Sequence, residues 1–157
     1  METSERKRQG LLIFFCWLIY TCAYFGRYSY TANVAAIIDA FGTSKADAGL
    51  VTSSFFFAYG IGQVVHGVLC RRYPKKYVLS GALVLSALLN LSVFFGLPFY
   101  LIKYFWILNG IAQSVLWSSL ILILSENTDG DMMRRAIVVM STTTAAGTLL
   151  SYGAAKI

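Results

Sequence analysis

The sequence predicts an all-α, polytopic membrane protein with about five transmembrane helices, and three observations carry that prediction. Of its 157 residues 57% are hydrophobic and only 13% charged, with a mean hydropathy of +0.65. A soluble domain of this size is far more polar. The apolar residues run in five long blocks rather than in amphipathic stripes. The basic residues crowd on one side of those blocks, as cytoplasmic loops of membrane proteins require.

Taken in order, residues 1–10 form a polar, basic N-terminus. They do not read as a cleavable signal, because the apolar block that follows is too long and carries Arg27 inside it. The first helix is expected over 11–38. Residues 10–26 are 17 positions without a charge and 28–38 are 11 more, together longer than the roughly 20 residues that a bilayer core requires. The linker 39–47 holds Gly42 and a helix cap at Thr43 or Ser44. The second helix is expected over 48–70. A loop at 71–76 combines Pro74 with four cations, and the third helix follows over 77–95. Pro98 marks the next loop, before a fourth helix over 104–124. Asp129-Gly130 is a turn signal within 126–135, and the fifth helix is expected over 136–157. The loops are short, so consecutive helices run antiparallel.

Orientation follows from the cations. Arg6, Lys7, Arg8, Arg71, Arg72, Lys75, Lys76, Arg134 and Arg135 fall on one side, against Lys45 and Lys103 on the other. Nine against two puts the N-terminus in the cytoplasm, and the location expected for the multi-pass chain is the cell (inner) membrane. The net charge of +6 is then a consequence of topology and calls for no nucleic-acid partner. Cys16, Cys22 and Cys70 lie at membrane depth with no metal-ligand spacing and read as small apolar residues. Asn90-Leu91-Ser92 fits a glycosylation pattern but lies inside a helix. No nucleophile–base pair, metal cluster or phosphate-binding glycine loop is visible, and His66 has no second ligand nearby. The expectation is a protein that is not an enzyme and has no cofactor and no metal.

What remains is polar chemistry inside the helices, and Arg27 is its centre. A guanidinium past the midpoint of a spanning helix costs about 2.5–3.5 kcal/mol on insertion scales. Residues three, four and seven positions away share its face: Tyr20, Ala23, Tyr24, Tyr30, Thr31 and Val34. Phe15, Leu18, Ile19, Phe25 and Ala36 lie opposite, suited to lipid. Arg27 reads either as a snorkelling side chain that reaches the outer interface or as an anion ligand lining a cavity. In the second helix Tyr59, Gln63 and His66 share a face, with Gly60, Gly62 and Gly67 available for close helix approach. In the fourth, Asn109, Gln113 and Trp117 share one at i, i+4 and i+8. Interhelical hydrogen bonding, worth about 0.6 kcal/mol per contact, and cavity lining weigh equally for Gln63, His66, Asn109 and Gln113 one at a time. Taken with Arg27, they favour a polar chamber at the bilayer midplane.

At these residues the chain resembles the N-terminal six-helix half of a major facilitator superfamily transporter, most of all the organophosphate:phosphate antiporters, the group of glycerol-3-phosphate and hexose-phosphate transporters. Tyr24-Phe25-Gly26-Arg27 is similar to the family's first-helix phosphate-binding Arg after aromatic residues. Ala58-Tyr59-Gly60 and Gly67 are similar to its second helix, and Gly110, Gln113 and Trp117 to its fourth. The resemblance implies an incomplete major facilitator fold. It also implies a secondary active transporter, working by alternating access on an organic anion, a phosphorylated metabolite exchanged for inorganic phosphate. Arg27 would bind the anion, and Tyr24, Gln63, Asn109, Gln113 and Trp117 would shape the substrate site. The partners implied are the lipid bilayer, a small anionic phosphorylated substrate and a missing C-terminal transporter half.

The departures bear on this. Gln63 stands where many members carry Lys, Arg71 where the superfamily's loop motif has Asp, and Thr142, Thr143 and Thr144 where members often carry His. The chain stops in its fifth helix, so it is expected to be a fragment or truncated gene product. A transporter-like sensor of a phosphorylated ligand and a non-functional fragment stand as alternatives.

Overall fold

Among the described residues, 2–69 and 72–155 of the computed structural model, all regular structure is helical. The chain runs α1 (Glu2–Ala32), α2 (Val34–Phe41), α3 (Lys45–Leu69), α4 (Lys75–Phe94), α5 (Phe99–Asn127), α6 (Gly130–Ser141) and α7 (Thr143–Ala154). Four segments are long and apolar enough to cross a membrane: Ser4–Ala32, Lys45–Leu69, Lys75–Val93 and Phe99–Asn127. Where a fifth spanning helix was expected, α6 and α7 follow one another across Thr142. Cys70, Arg71 and Lys156 lie outside the described residues, so the expectations placed on them have no structural counterpart.

Local chemistry explains the boundaries. α1 begins well before the apolar block, because the charged residues 5–8 are good helix formers. Its 31 residues span about 46 Å at 1.5 Å per residue, so its basic first turns project beyond a core of about 30 Å. The expected single helix over 11–38 is interrupted at Asn33, whose side chain donates to Ser29 O at 2.8 Å. α2 stops at Gly42, which takes φ +60°, a left-handed conformation that glycine adopts without strain. Ser44 caps α3: its Oγ accepts from Asp47 N at 3.0 Å. Pro74 and Pro98 stand immediately before α4 and α5. Asp129 caps α6, accepting from Met132 N at 2.9 Å.

The interruption at Thr142 has a cause that the sequence displays. Ser141, Thr142 and Thr143 donate their hydroxyls to the carbonyls of Val138, Val139 and Met140 at 2.7, 2.8 and 2.6 Å. Such back-bonding competes with the helix ladder and bends helices. Trp17 Nε1 donates to Thr142 Oγ1 at 2.9 Å, which ties the break to α1.

Packing follows two parallel seams and one antiparallel seam. α1 and α7 run side by side in the same direction: Trp17 meets Thr142, Tyr24 meets Gly147, and Ser151 Oγ donates to Phe25 O at 2.9 Å. α3 and α5 also run together, with Phe55 and Ala58 against Gly110 and Gly62 against Ser114. α4 and α5 are antiparallel, as their short loop requires. Lys75 at the start of one pairs with Glu126 near the end of the other at 2.6 Å, and Ser86 meets Asn109 midway. Large apolar side chains such as Phe57, Val64, Val68 and Leu149 point outward, the inverse of a water-soluble surface and what a lipid solvent selects.

Two apolar clusters form the interior. One gathers Ile13, Tyr20, Leu79, Leu116, Leu120 and Met140; the other gathers Tyr30, Val51, Phe55, Ile102 and Trp106. Along α1 and α5, Arg27, Asn109 and Gln113 fall between residues of the two clusters. The fold therefore places a polar layer between two greasy ones.

Of the second-helix glycines, Gly62 makes a close approach, to the Ser114 side chain, whereas Gly60 and Gly67 have open space where a Cβ would stand. The tightest backbone contact is at Gly110. A Cβ there would sit 2.5 Å from Phe55 O and 3.2 Å from Tyr59 N, backbone atoms that cannot swing aside. Gly110→Ala is expected to force α3 and α5 apart, destabilising the protein by about 1–3 kcal/mol. Gly60→Ala is expected to be neutral or slightly stabilising, since Ala is the better helix former. Thermal unfolding of the two variants in the same detergent checks this pair.

Candidate functional site

Arg27 is buried, with 5% of its surface exposed, so it does not reach out to an interface. Its Nε donates to Gln113 Oε1 of α5 at 3.0 Å. Its guanidinium carbon lies 4.5 Å from the Tyr24 ring centre and 4.3 Å from that of Tyr59, with Phe55 further off at 5.8 Å. Desolvated cation–π contacts are worth about 2 kcal/mol, so the two phenol rings offset part of the burial cost. Nη2 has no hydrogen-bond partner among the described residues.

The charge itself also lacks a counter-charge among the described residues. The seven acidic residues are Glu2, Glu5, Asp39, Asp47, Glu126, Asp129 and Asp131. None lies between 48 and 125, and none between 6 and 38. Every carboxylate of the chain is thus at a helix end or in a loop. A buried cation is normally compensated by an ion pair. Here aromatic faces and a single amide carbonyl stand in its place, with one edge of the guanidinium unclaimed.

Beside Arg27, along Tyr24 and Tyr59, lies a cleft of about 240 Å³, about eight times a water molecule's share of liquid volume. Its walls are Tyr20, Tyr24, Tyr59, Gln63, Trp117, Met140, Ser141, Thr143 and Thr144. The Tyr20 and Tyr59 hydroxyls are 3.4 Å apart, and Gln63 Nε2 donates to Tyr59 Oη. Trp117 packs on Tyr20 with ring centres 5.2 Å apart. The run of hydroxyls at the α6–α7 break therefore faces the phenols of α1 and α3 across the cleft. Two larger grooves are apolar. One of about 750 Å³ lies between α1 and α4, lined by residues such as Phe25, Leu83 and Leu91. Another of about 490 Å³ lies between α3 and α5.

The six residues singled out from sequence divide into two groups. Tyr24, Gln63 and Trp117 line the cleft. Arg27 stacks on its walls, Gln113 bonds to Arg27, and Asn109 stands behind Gln113, both amides fully buried. His66, expected in the same chamber, is elsewhere: it lines the apolar α3–α5 groove with Ile61, Ile107 and Ile111. It lies nearly two turns below Tyr59 on its helix, and α3 carries it toward the basic loop. Ser86 of α4 was not singled out at all. It donates to Asn109 Oδ1 at 2.7 Å and accepts from Gln113 Nε2 at 3.0 Å. Its one signal was the Ser86–Asn90 spacing, which stacks two polar residues on one face of an apolar helix. Asn90 donates to Ser86 O at 2.9 Å and accepts from Ser29 Oγ at 2.9 Å.

Fold and site together define a polytopic helical membrane protein with an uncompensated buried cation beside a polar, aromatic cleft. The chain belongs to the Major Facilitator Superfamily, matching it over residues 16–157. It is 29% identical over 103 residues to the membrane sensor protein UhpC of Escherichia coli (strain K12), covering 66% of this chain and 23% of that protein. It is 31% identical over 117 residues to a probable hexose phosphate transport protein of Chlamydia pneumoniae, covering 73% of this chain and 25% of that protein. To the glucose-6-phosphate exchanger SLC37A2 of Mus musculus it is 34% identical over 80 residues, covering 46% of this chain and 16% of that protein. These relatives bear out the resemblance to the organophosphate group. The aligned part spans about a quarter or less of each relative's length. No solved structure gives a significant match.

Proposed function

We propose that the chain forms part of a secondary active transporter that binds a phosphorylated organic anion at Arg27 and exchanges it for inorganic phosphate by alternating access. The observation that carries this reading is the missing counter-charge: a buried guanidinium with a free Nη2, in a chain without a carboxylate at membrane depth. A phosphate group supplies both the charge and the acceptor oxygens that such a site lacks. Tyr24, Gln63 and Trp117 would line the substrate's path, and Gln113 and Asn109 would hold Arg27. A second six-helix half would supply the opposite wall and the surface against which this one rocks. Three relatives named for hexose-phosphate transport or glucose-6-phosphate exchange support the substrate class.

The direct test is the charge requirement. In isothermal titration of the purified chain, inorganic phosphate and glucose 6-phosphate are expected to bind and neutral glucose is not. Equal binding of glucose would sink the anion reading. Two relatives are named sensors, which supports a second reading in which the same site binds the ligand and reports it to a partner. Loss of uptake but not of binding, in cells expressing the protein, would favour that reading.

We propose a cytoplasmic N-terminus, on the nine-to-two division of cations, and the inner membrane as the chain's location. In a chain whose native cysteines are replaced by Ser, Thr43→Cys is expected to react with an impermeant maleimide from outside. Lys76→Cys and Asp131→Cys are expected to react only once the membrane is opened. Outside labelling at Lys76→Cys would reverse the orientation.

A further inference from the structure

α4 contributes no described residue to the cleft wall, yet one of its side chains is linked to Arg27 through hydrogen bonds. Ser86, Asn109 and Gln113 are buried together, at 7%, 0% and 0% exposure. Ser86 donates its single hydroxyl proton to Asn109 Oδ1 at 2.7 Å. Gln113 Nε2 donates to Ser86 Oγ at 3.0 Å and to Asn109 Oδ1 at 3.3 Å. Those two bonds point the Gln113 amino group at Ser86 and Asn109. Its carbonyl is left facing the other way, where it accepts from Arg27 Nε at 3.0 Å.

The two ends of an amide have nearly the same shape, so packing alone does not choose between its orientations. Hydrogen bonding does. Turned over, Gln113 would set Oε1 against Asn109 Oδ1, acceptor to acceptor, and its amino group against Arg27 Nε–H, donor to donor. The Ser86 proton keeps Asn109 from turning first, because it holds Oδ1 on the Gln113 side.

We propose that Ser86 is a positioning residue for Arg27: by orienting the amides of Asn109 and Gln113, it holds Arg27 through Nε and leaves the Nη edge free for an anion. The proposal rests on Arg27 being the anion site. Without the hydroxyl, Asn109 is free to turn and offer Nδ2, which has no partner among the described residues, to Gln113. Gln113 is then no longer locked, and in its turned orientation presents donors to Nε–H. Arg27 keeps its charge and loses its anchor. The expected loss in phosphate affinity is about tenfold, the size of one hydrogen bond to a charged group.

Ser86→Val and Ser86→Thr make the test, because they are alike in shape and only Thr keeps a hydroxyl. Two quantities are measured on the full chain in detergent: inorganic phosphate affinity, and the Arg27 Nε–Hε resonance in protein labelled with ¹⁵N-arginine, identified by its absence from Arg27→Ala. Ser86→Val is expected to move the resonance and weaken phosphate about tenfold, whereas Ser86→Thr preserves both. A resonance unmoved in Ser86→Val, or moved equally by Ser86→Thr, overturns the proposal. If Arg27→Ala binds phosphate as tightly as the wild type, the anion-site reading fails, and the resonance still decides whether Ser86 holds Arg27.

Discussion

Arg27→Ala is expected to weaken phosphate binding by about two to four powers of ten while leaving the protein in the membrane. The two effects come from opposite roles of one charge. For insertion the guanidinium is a burden of about 2.5–3.5 kcal/mol, only partly offset by the Tyr24 and Tyr59 rings at 4.5 and 4.3 Å. Removing it makes α1 a better membrane helix. For an oxyanion in a partly dehydrated cleft the same charge is the main attraction, with hydrogen bonds to charged groups worth about 1.5–3 kcal/mol each. Two such bonds, at about 1.4 kcal/mol per tenfold, give the stated range. Arg27→Lys separates charge from shape. An ammonium keeps the charge but cannot donate to Gln113 and still present a planar two-pronged edge, so an intermediate loss is expected. Titration calorimetry for affinity and membrane-fraction yield for insertion check the two halves. If Ala and Lys both bind phosphate normally, Arg27 is structural.

The part of this site that could be read from sequence is the part that helical geometry controls. The face of Arg27, counted at three, four and seven residues, names Tyr20, Ala23, Tyr24 and Tyr30, and these are buried or half-buried while Phe15, Leu18 and Phe25 on the other side are exposed. The helices themselves were legible because apolar blocks and Pro/Gly punctuation are local signals. What was not legible depends on neighbours. Ser86 is one hydroxyl in an apolar helix, and its partners lie 23 and 27 residues away on α5; Asn90 one turn on marks a polar face but names no partner, and Ser92 of the same helix bonds to Leu89 O of its own helix. Gly60 and Gly110 look alike in sequence, but only Gly110 faces a neighbouring backbone. His66 shares a face with Gln63 by spacing, yet a slow drift along α3 takes it out of the cleft. The interruptions at Asn33 and Thr142 were written in the side chains. Hydropathy alone ignores them, because Asn, Ser and Thr compete for backbone carbonyls without changing the length of an apolar block.

Gln113→Glu is expected to abolish phosphate binding more severely than Gln113→Ala, and that ordering is the sharpest test of the missing counter-charge. Gln and Glu have nearly the same shape, so the substitution sets a carboxylate where the carbonyl now stands, 3.0 Å from Arg27 Nε. The two donated bonds to Ser86 and Asn109 are lost. Asn109 can compensate by turning its unpartnered Nδ2 toward the new carboxylate, and Ser86 by donating to it. What changes decisively is the electrostatics. Two unit charges about 4 Å apart attract by about 4 kcal/mol at an effective dielectric near 20, about three powers of ten in affinity. An arriving phosphate must now compete with an internal ion pair that costs no association entropy. Gln113→Ala leaves the charge free and removes only its anchor, so its loss should stay near tenfold. Stability should run the other way, with Gln113→Glu melting at or above the wild type and Gln113→Ala below it, because the first neutralises a buried charge and the second opens a void. Phosphate titration and thermal unfolding of both variants give the four numbers needed. Should Gln113→Glu bind phosphate as well as Gln113→Ala does, the guanidinium is not waiting for an anion.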